Sequence, residues 1–254
     1  MKTLQVRAKS LFLLAIWFRK LMLRTLGLEI LTLAFPIFAK NVHSQGGVDG
    51  IIDFIVKKLP LIPKYIVDLG ANDGLVGSCS RSLILQGWKG TLVEPYPPAF
   101  AELKGLYAGD GRGVEVLNVA VSAAPGATQE KINWHGHFEG LTVDAKNIND
   151  VLGELPVDTR AEVGVLKVDL DGMDNEILEA IDFSSFCPWL VVGEIDSSSI
   201  GNLMSQTKIM DSKGYVCVLH RGNVYYLAKR HHNQYLYQNR DAPLPSATGV
   251  FSIS

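Results

Sequence analysis

The feature that most constrains the fold is a repeated alternation of short apolar runs with longer stretches of helical periodicity. The apolar runs predict strands at residues 65–67, 90–93, 114–121, 163–168 and 190–195. The intervening periodicity predicts helices at residues 48–59, 75–86, 97–107, 147–155, 173–181 and 203–212. Strands separated by helices of this length favour an α/β fold with a mostly parallel sheet and helices on both faces.

The end of this pattern differs from the rest. Runs at 214–219 and 223–228 are joined by Arg221 and Gly222, which predicts an antiparallel hairpin at the edge of the sheet. Residues 126–133 favour a further edge strand, and residues 134–137, which include His135 and His137, are predicted to form an irregular loop. We therefore expect one α/β domain over residues 47–230, preceded by a segment of residues 1–46 and followed by a tail of residues 231–254.

Charge separates the N-terminal segment from the domain. Residues 1–40 contain seven Lys or Arg and one acid, Glu29. Charged residues and Pro36 interrupt its apolar blocks, so no stretch of 18 uncharged apolar residues is available to span a bilayer. A basic helix on an anionic membrane surface and a helix packed on the domain are the two interpretations left open.

Composition restricts the partners. The formal charge of -2 and the pI near 6.3 give no global basic field, so a nucleic-acid partner is not expected. The three cysteines are far apart and lie among apolar residues, which favours reduced thiols in a cytoplasmic compartment. They form no CxxC or Cys/His cluster, and we expect no metal site.

Acidic residues end four of the predicted strands: Asp68, Glu94, Asp169 and Glu194. In an open α/β sheet, ligands bind beyond the carboxyl ends of the strands, near the point where the strand order reverses. Any one of these acids can simply cap a helix or pair with a base. The four together predict a ligand site at this edge of the sheet.

The turn after the first strand predicts the kind of ligand. In the run Asp68-Leu69-Gly70-Ala71-Asn72-Asp73-Gly74, Gly70 allows close backbone approach and Gly74 allows contact with a helix. The helix predicted after the turn would offer free N–H groups to a polar ligand. Glu94 follows Gly70 by 24 residues and can accept hydrogen bonds from ribose hydroxyls, which indicates a nucleoside-bearing cofactor.

Two features favour S-adenosylmethionine over NAD. The turn lacks the second glycine of the Gly-x-Gly-x-x-Gly motif, which brings backbone close to a pyrophosphate. Asp68 would repel a pyrophosphate but can attract the ammonium group of an amino acid, directly or through water.

Motifs along most of the chain resemble, in order, those of the FkbM-like methyltransferase family. They are VDLGANDG at 67–74, VEPYP at 93–97, NVAV at 118–121, LKVDLDGMDNEILE at 166–179 and VVGEI at 191–195. The resemblance implies a Rossmann-like methyltransferase fold, S-adenosylmethionine as cofactor, and methylation of a hydroxyl oxygen on a sugar, glycan or other small metabolite.

The same resemblance implies roles for individual residues. The turn with Asp68, Gly70, Asn72, Asp73 and Gly74 would bind the methionine side of the cofactor. Glu94 would bind the ribose, and the segment 117–120, which ends at Ala120, would lie near the adenine.

The fourth strand ends in the candidate catalytic acids. The family usually has Glu-Gly where this chain has Asp171-Gly172, so a role transferred to Asp171 is open. A hydroxyl acceptor must lose its proton, for which Asp169 is our first candidate, Asp171 the second, and His135 and His137 are chemically competent. Alternatively, Asp169 contacts the cofactor and Asp171 caps the next helix. A methyltransferase-like scaffold without catalysis is the alternative for the whole domain.

Overall fold

The computed structural model describes residues 39–134, 138–156, 163–195 and 200–232. The basic N-terminal segment up to residue 38, His135, His137 and the tail from residue 233 lie outside the described residues. The main helices and strands follow one another in these ranges, and residues 229–232 are also helical. The helices are α1 (Val48–Lys57), α2 (Arg81–Leu85), α3 (Pro97–Tyr107), α4 (Ile148–Gly153), α5 (Asp174–Ala180) and α6 (Ile200–Ser212). The strands are β1 (Tyr65–Leu69), β2 (Lys89–Val93), β3 (Val114–Leu117), β4 (Ala120–Ser122), β5 (Gln129–Trp134), β6 (Phe138–Asn147), β7 (Val165–Val168), β8 (Leu190–Glu194), β9 (Tyr215–Arg221) and β10 (Asn223–Ala228).

Seven strands form one sheet in the order β3-β2-β1-β7-β8-β10-β9. All neighbouring pairs are parallel except those of β10, which is antiparallel to both β8 and β9. The order reverses between β1 and β7, because the chain first builds outward to β3 and then returns to the other side of β1. The predicted α/β fold, with its mostly parallel sheet and antiparallel edge hairpin, is confirmed.

Helices cover both faces of the large sheet. Ile51 of α1, Leu83 of α2 and Leu103 of α3 pack on one face with Ile66 of β1. The opposite face packs against α4, α5 and α6, through residues that include Val151, Ile177 and Met210. Alternation of side chains along a strand places neighbours on opposite faces, and burial of both faces explains why the parallel strands are largely apolar.

The entry into α1 is held by one carboxylate. Oδ2 of Asp49 accepts hydrogen bonds from the backbone N–H groups of Val42, His43 and Ser44 at 2.9, 2.8 and 2.7 Å. The hydroxyl of Ser44 donates to the same oxygen at 2.8 Å and accepts from the N–H of Asp49 at 2.8 Å. Three successive backbone donors are therefore fixed by a single buried side chain.

The predicted helix at 75–86 is wrong in its first half, because only Arg81–Leu85 is helical. Oδ1 of Asp73 accepts hydrogen bonds from the N–H groups of Leu75 and Val76, which closes a turn. Gly77 then has a φ of 72°, outside the helical region. The turn after β1 is therefore not followed directly by a helix N-terminus.

The predicted strand at 114–121 is two strands in two different sheets. The main sheet contains it only to Leu117, and the chain then enters β4 of a three-stranded sheet in the order β4-β6-β5. The break falls at Asn118, whose side-chain amide donates to the carbonyl oxygens of Glu94 at 2.9 Å and Pro95 at 3.1 Å. The edge strand expected at 126–133 corresponds to β5, but in this second sheet, and Trp134 extends it. The long strand β6 was not predicted.

Candidate active site

The glycine-rich turn lies where the strand order reverses and touches the strands on both sides. Gly70 has a φ of 84° and its N–H, like that of Ala71, donates to the carbonyl oxygen of Val93 at the end of β2. A Cβ added at Gly70 would lie 1.9 Å from the carbonyl oxygen of Asp169 at the end of β7. Only glycine fits here, since any side chain would push β1 and β7 apart.

Gly74 closes the turn against a helix, as predicted, but the helix is α3. A Cβ added at Gly74, where φ is 73°, would lie 2.6 Å from Cδ1 of Leu103. The turn is thus packed between the end of β7 and the inner side of α3.

Glu94 is buried and already oriented by the backbone. Its Oε2 accepts a hydrogen bond from the N–H of Asn72 at 2.8 Å, and its Oε1 accepts one from the N–H of Tyr96 at 2.7 Å. Asn72 adopts a φ of 51°, a conformation uncommon outside glycine. Burial raises the pKa of Glu94, and the two N–H donors oppose this. The carboxylate keeps free lone pairs for further donors.

Three other residues predicted to bind the cofactor have surroundings unlike those of Glu94. Asp68 is 2% exposed and lies under the turn, where its carboxyl is hydrogen-bonded to Ser80. Asp73 holds the turn at residues 75–76 through its Oδ1. Ala120 is buried in β4, two residues beyond Asn118, and pairs with Ala145 of β6. Their assignment as cofactor-binding residues stays a prediction.

A buried lysine lies between two of the predicted acids. Lys167 of β7 is the register partner of Asp68 in β1 and is 1% exposed. Its Nζ lies 2.8 Å from Oδ2 of Asp169 and donates to the carbonyl oxygen of Val168 at 3.1 Å. Burial alone would lower the pKa of Lys167, but the neighbouring Cys79, Asp169 and Asp68 more than offset this and raise it. Lys167 is therefore a cation.

The same cluster shifts the pKa of Asp68. Burial raises it to about 6, against the attraction of Lys167 and the hydrogen bond from Ser80, which both lower it. An acid with such a pKa changes its protonation state close to neutral pH. The cluster was missed by sequence reasoning, because a single lysine within an apolar strand carries no signal of its surroundings.

Glu194 adjoins Asp169 across the β7–β8 pair. Val168 is the register partner of Gly193, so the next residue of each strand, Asp169 and Glu194, emerges at the same place. The two carboxyl groups share a hydrogen bond, which, together with burial and the charge of Asp169, raises the pKa of Glu194 to about 8. The sequence marked Glu194 as a strand-end acid but gave it no role.

Asp171 is exposed, with a φ of 49°, in the loop that leads from β7 to α5. The alternative that it caps α5 is wrong, since the N-cap position is Met173. Its charge instead acts on Glu94, where it raises the pKa. Asp174 supports this loop through Oδ2, which accepts from the N–H of Leu170 at 3.3 Å.

The described ranges contain no metal-binding cluster, membrane-spanning helix or disulfide. Within residues 39–134, 138–156, 163–195 and 200–232, no group of three His, Cys, Asp or Glu residues could hold a metal ion. Among the helices of these same ranges, none is long and apolar enough to cross a membrane. All three cysteines are free thiols.

The strand order, the switch between β1 and β7 and the glycine turn at that switch define a Rossmann-like methyltransferase fold. The sequence model of the methyltransferase FkbM domain matches residues 68–217, more than half of the chain. The protein belongs to the FkbM methyltransferase family, and the predicted family is confirmed.

Solved structures similar to this chain are distant. The FkbM methyltransferase of Methylobacillus flagellatus KT is 16% identical with a TM-score of 0.46, and the match covers 64% of this chain and 43% of that one. Monomeric WbdD is 13% identical with a TM-score of 0.44, over 81% of this chain and 48% of its own. Magnesium protoporphyrin IX methyltransferase of Synechocystis PCC 6803, solved with bound SAM, is 10% identical with a TM-score of 0.42, over 70% and 76%. This chain thus spans less than half the length of the first two. No curated protein matches the sequence.

Proposed function

We propose that the protein uses S-adenosylmethionine to methylate a hydroxyl oxygen on a sugar, glycan or other small metabolite. The observation that carries the proposal is the buried Glu94 carboxylate, which the N–H groups of Asn72 and Tyr96 hold beside the Gly70 turn. A carboxylate with both oxygens oriented and lone pairs free suits the two hydroxyls of a ribose. Family membership supports methyl transfer as the reaction.

The turn provides the rest of the cofactor site in this proposal. Gly70 gives backbone access at the switch point, and the charges of Asp68 and Asp171 make the site attractive to a cation. Asp68 acts from beneath the turn, since its side chain is buried. A pyrophosphate would meet these same acids unfavourably, which disfavours NAD.

When bound, the cofactor supplies a methyl group activated on a sulfonium. The protein must align the acceptor oxygen, exclude water and take up the hydroxyl proton. The acids at the end of β7 are the candidates for this proton, and the backbone carbonyl oxygen of Asp169, the first of them, adjoins the Gly70 turn. Asp171, in the loop just beyond, is the second candidate.

Calorimetric titration of the 254-residue chain with S-adenosylmethionine, and separately with NAD, tests the cofactor. We expect only S-adenosylmethionine to bind, and Glu94→Gln to weaken it by at least about tenfold, since a charged acceptor of hydrogen bonds is lost. Glu102→Gln removes an exposed acid of α3 and serves as the matched control. If the folded protein does not bind S-adenosylmethionine, the proposal fails. Binding without transfer to any acceptor in a panel of sugars would favour the scaffold alternative.

We further propose that residues 1–40 bring the protein to an anionic membrane surface, on the basis of their seven basic residues and single acid. Sedimentation with phosphatidylserine vesicles should fall when Arg19, Lys20 and Arg24 are all replaced by Glu. Equal sedimentation of the two proteins would contradict this contact.

A further inference from the structure

The carboxyl pair of Asp169 and Glu194 is asymmetric. Oδ2 of Asp169 lies 2.8 Å from the buried ammonium of Lys167, which holds the negative charge on Asp169. Glu194 is more exposed and faces Asp169 through their shared hydrogen bond. Because a hydrogen bond between two carboxyl groups requires a proton, that proton resides on Glu194 rather than on the lysine-bound acid.

The charged groups that act on Glu194 come from two elements. Asp169 and Lys167 act from β7, and Asp174 acts from α5. Its partner in β10 is the neutral Asn223. On α6, the neutral amide of Gln206 donates to the carbonyl oxygen of Glu194 at 3.2 Å. Among these described residues, Lys167 is the cation that acts on Glu194, and it is already paired with Asp169. An added positive charge would therefore favour the ionised form of Glu194.

The pair directly adjoins the proposed cofactor site. The carbonyl oxygen of Asp169 occupies the space where Gly70 lacks a side chain. The N–H of Asp169 donates to the carbonyl oxygen of Leu69 at 3.1 Å, which ties the end of β7 to the turn. A cation bound at the turn therefore lies within the range of electrostatic interaction with both carboxyl groups.

We propose that Glu194, paired with Asp169, is the residue that accepts the hydroxyl proton, and that the positive charge of the bound sulfonium cofactor prepares it by expelling the proton that the pair shares. This inference rests on the proposed function. It adds the residue that accepts the proton and the event that deprotonates this residue beforehand, which is binding of the cofactor. It differs from the sequence-based prediction, which placed Asp169 first, because the ion pair with Lys167 makes Asp169 the weaker base.

The step balances. The acceptor oxygen forms a bond to the methyl carbon, the bond from that carbon to sulfur breaks, and its electron pair remains on sulfur. The hydroxyl proton passes to the Glu194 carboxylate, where Asp169 shares it. The sulfur is then neutral, so the protonated pair is no longer opposed by a nearby cation. Binding of the next sulfonium releases this proton to solvent and returns the pair to its reactive form.

Proton release on binding tests this inference without knowledge of the methyl acceptor. Calorimetric titrations at pH 7.5 in phosphate and in Tris, which differ in their heats of ionisation, give the number of protons exchanged. We expect binding of S-adenosylmethionine to release roughly half a proton. The pKa of Glu194 is about 8, and the bound cation should lower it below about 7. S-Adenosylhomocysteine, which lacks the positive charge, should release almost none.

Glu194→Gln keeps a donor to Asp169 but cannot titrate. In this variant the proton release should disappear, while the affinity for S-adenosylmethionine stays within a few fold of that of the unaltered protein. Glu176→Gln, which removes an exposed acid in the first turn of α5, is the matched control and should retain the release.

The outcomes separate the two proposals. If S-adenosylmethionine does not bind, the proposed function fails and this inference fails with it. If both ligands bind with the same proton exchange, or if Glu194→Gln retains the release, the role of Glu194 is overturned while the proposed function stands. For the unaltered protein, the comparison of the two ligands is decisive even if a variant does not fold.

Discussion

The two halves of the site, on either side of the switch between β1 and β7, are built by different means. The β1–β2 side uses main chain: glycines at 70 and 74, and backbone N–H groups that orient Glu94. The β7–β8 side uses side-chain charge: Lys167, Asp169 and Glu194. The first side is therefore sensitive to added atoms and the second to removed charges. Variants can test this contrast on each side separately.

The largest effect is expected for the buried cation. Lys167→Met leaves Asp68 buried without its compensating charge, which should lower the free energy of unfolding by about 3–5 kcal/mol at pH 7. The loss should shrink as the pH falls through about 6 and be smaller at pH 4, because a protonated Asp68 no longer needs the lysine. Urea unfolding at both pH values measures it, and a loss independent of pH would contradict the electrostatic account.

An added methyl group tests the main-chain side. Gly70→Ala combines a φ of 84° with a Cβ 1.9 Å from the carbonyl oxygen of Asp169, and should cost about 3 kcal/mol. Gly109→Ala is the matched control, since its φ is 71° but no atom lies within 4 Å of its added Cβ. We expect it to cost only about 1 kcal/mol. Equal losses in urea unfolding would mean that the close approach of β1 and β7 has no energetic weight.

Removal of a charge can also stabilise the β7–β8 side. Burial raises the pKa of Asp174 to about 6, partly opposed by Lys167. Between pH 4 and 6 the native state thus holds a proton that the unfolded state has lost, and stability from this group falls as pH rises. Asp174→Asn should leave stability unchanged near pH 4 and raise it by about 1–3 kcal/mol at pH 7. Thermal unfolding across this range measures the slope, which should flatten in the variant.

The contribution of Asp182 to stability should change with pH in the opposite direction, so Asp182 serves as the control for Asp174. Hydrogen bonds from Ser184 and Ser185 lower its pKa to about 2. Its contribution to stability is present above pH 4 and is lost as the pH falls toward 2. Asp182→Asn should therefore destabilise the protein at pH 7 and have less effect at pH 2.

The smallest loss of stability is expected for a variant on the β1–β2 side, which is built from main chain. Asn118→Ala removes the two hydrogen bonds that hold the carbonyl oxygens of Glu94 and Pro95. We expect a loss of about 1 kcal/mol in stability and a few-fold loss in affinity for S-adenosylmethionine, because Glu94 keeps its own backbone donors. A loss as large as that of Gly70→Ala would show that side chains, and not only main chain, build this side.

The sequence predicted the main-chain side better than the charged side. Glycines and strand-end acids are local signals, so the turn at Gly70 and the position of Glu94 could be read directly. The placement of Lys167 beside Asp68, and of Asp169 beside Glu194, depends on strand register, which no short segment specifies. The pairing of Ala120 with Ala145 is likewise between distant segments, which explains why the second sheet was missed.

One false prediction came from counting apolar residues alone. The run from Leu75 to Gln86 has helical spacing, but Asp73 captures the first two N–H groups and Gly77 takes a positive φ. Local side-chain hydrogen bonds thus competed successfully with helix formation.

The carboxylate of Asp49 also sets where the domain can be cut. Its three backbone donors lie at residues 42–44, about two dozen residues before the family match begins at residue 68. A protein shortened to start after Ser44 would lose all three donors at once and leave the buried side chain of Asp49 without them, which we expect to destabilise α1. We therefore expect the minimal folding unit for expression to begin no later than Val42.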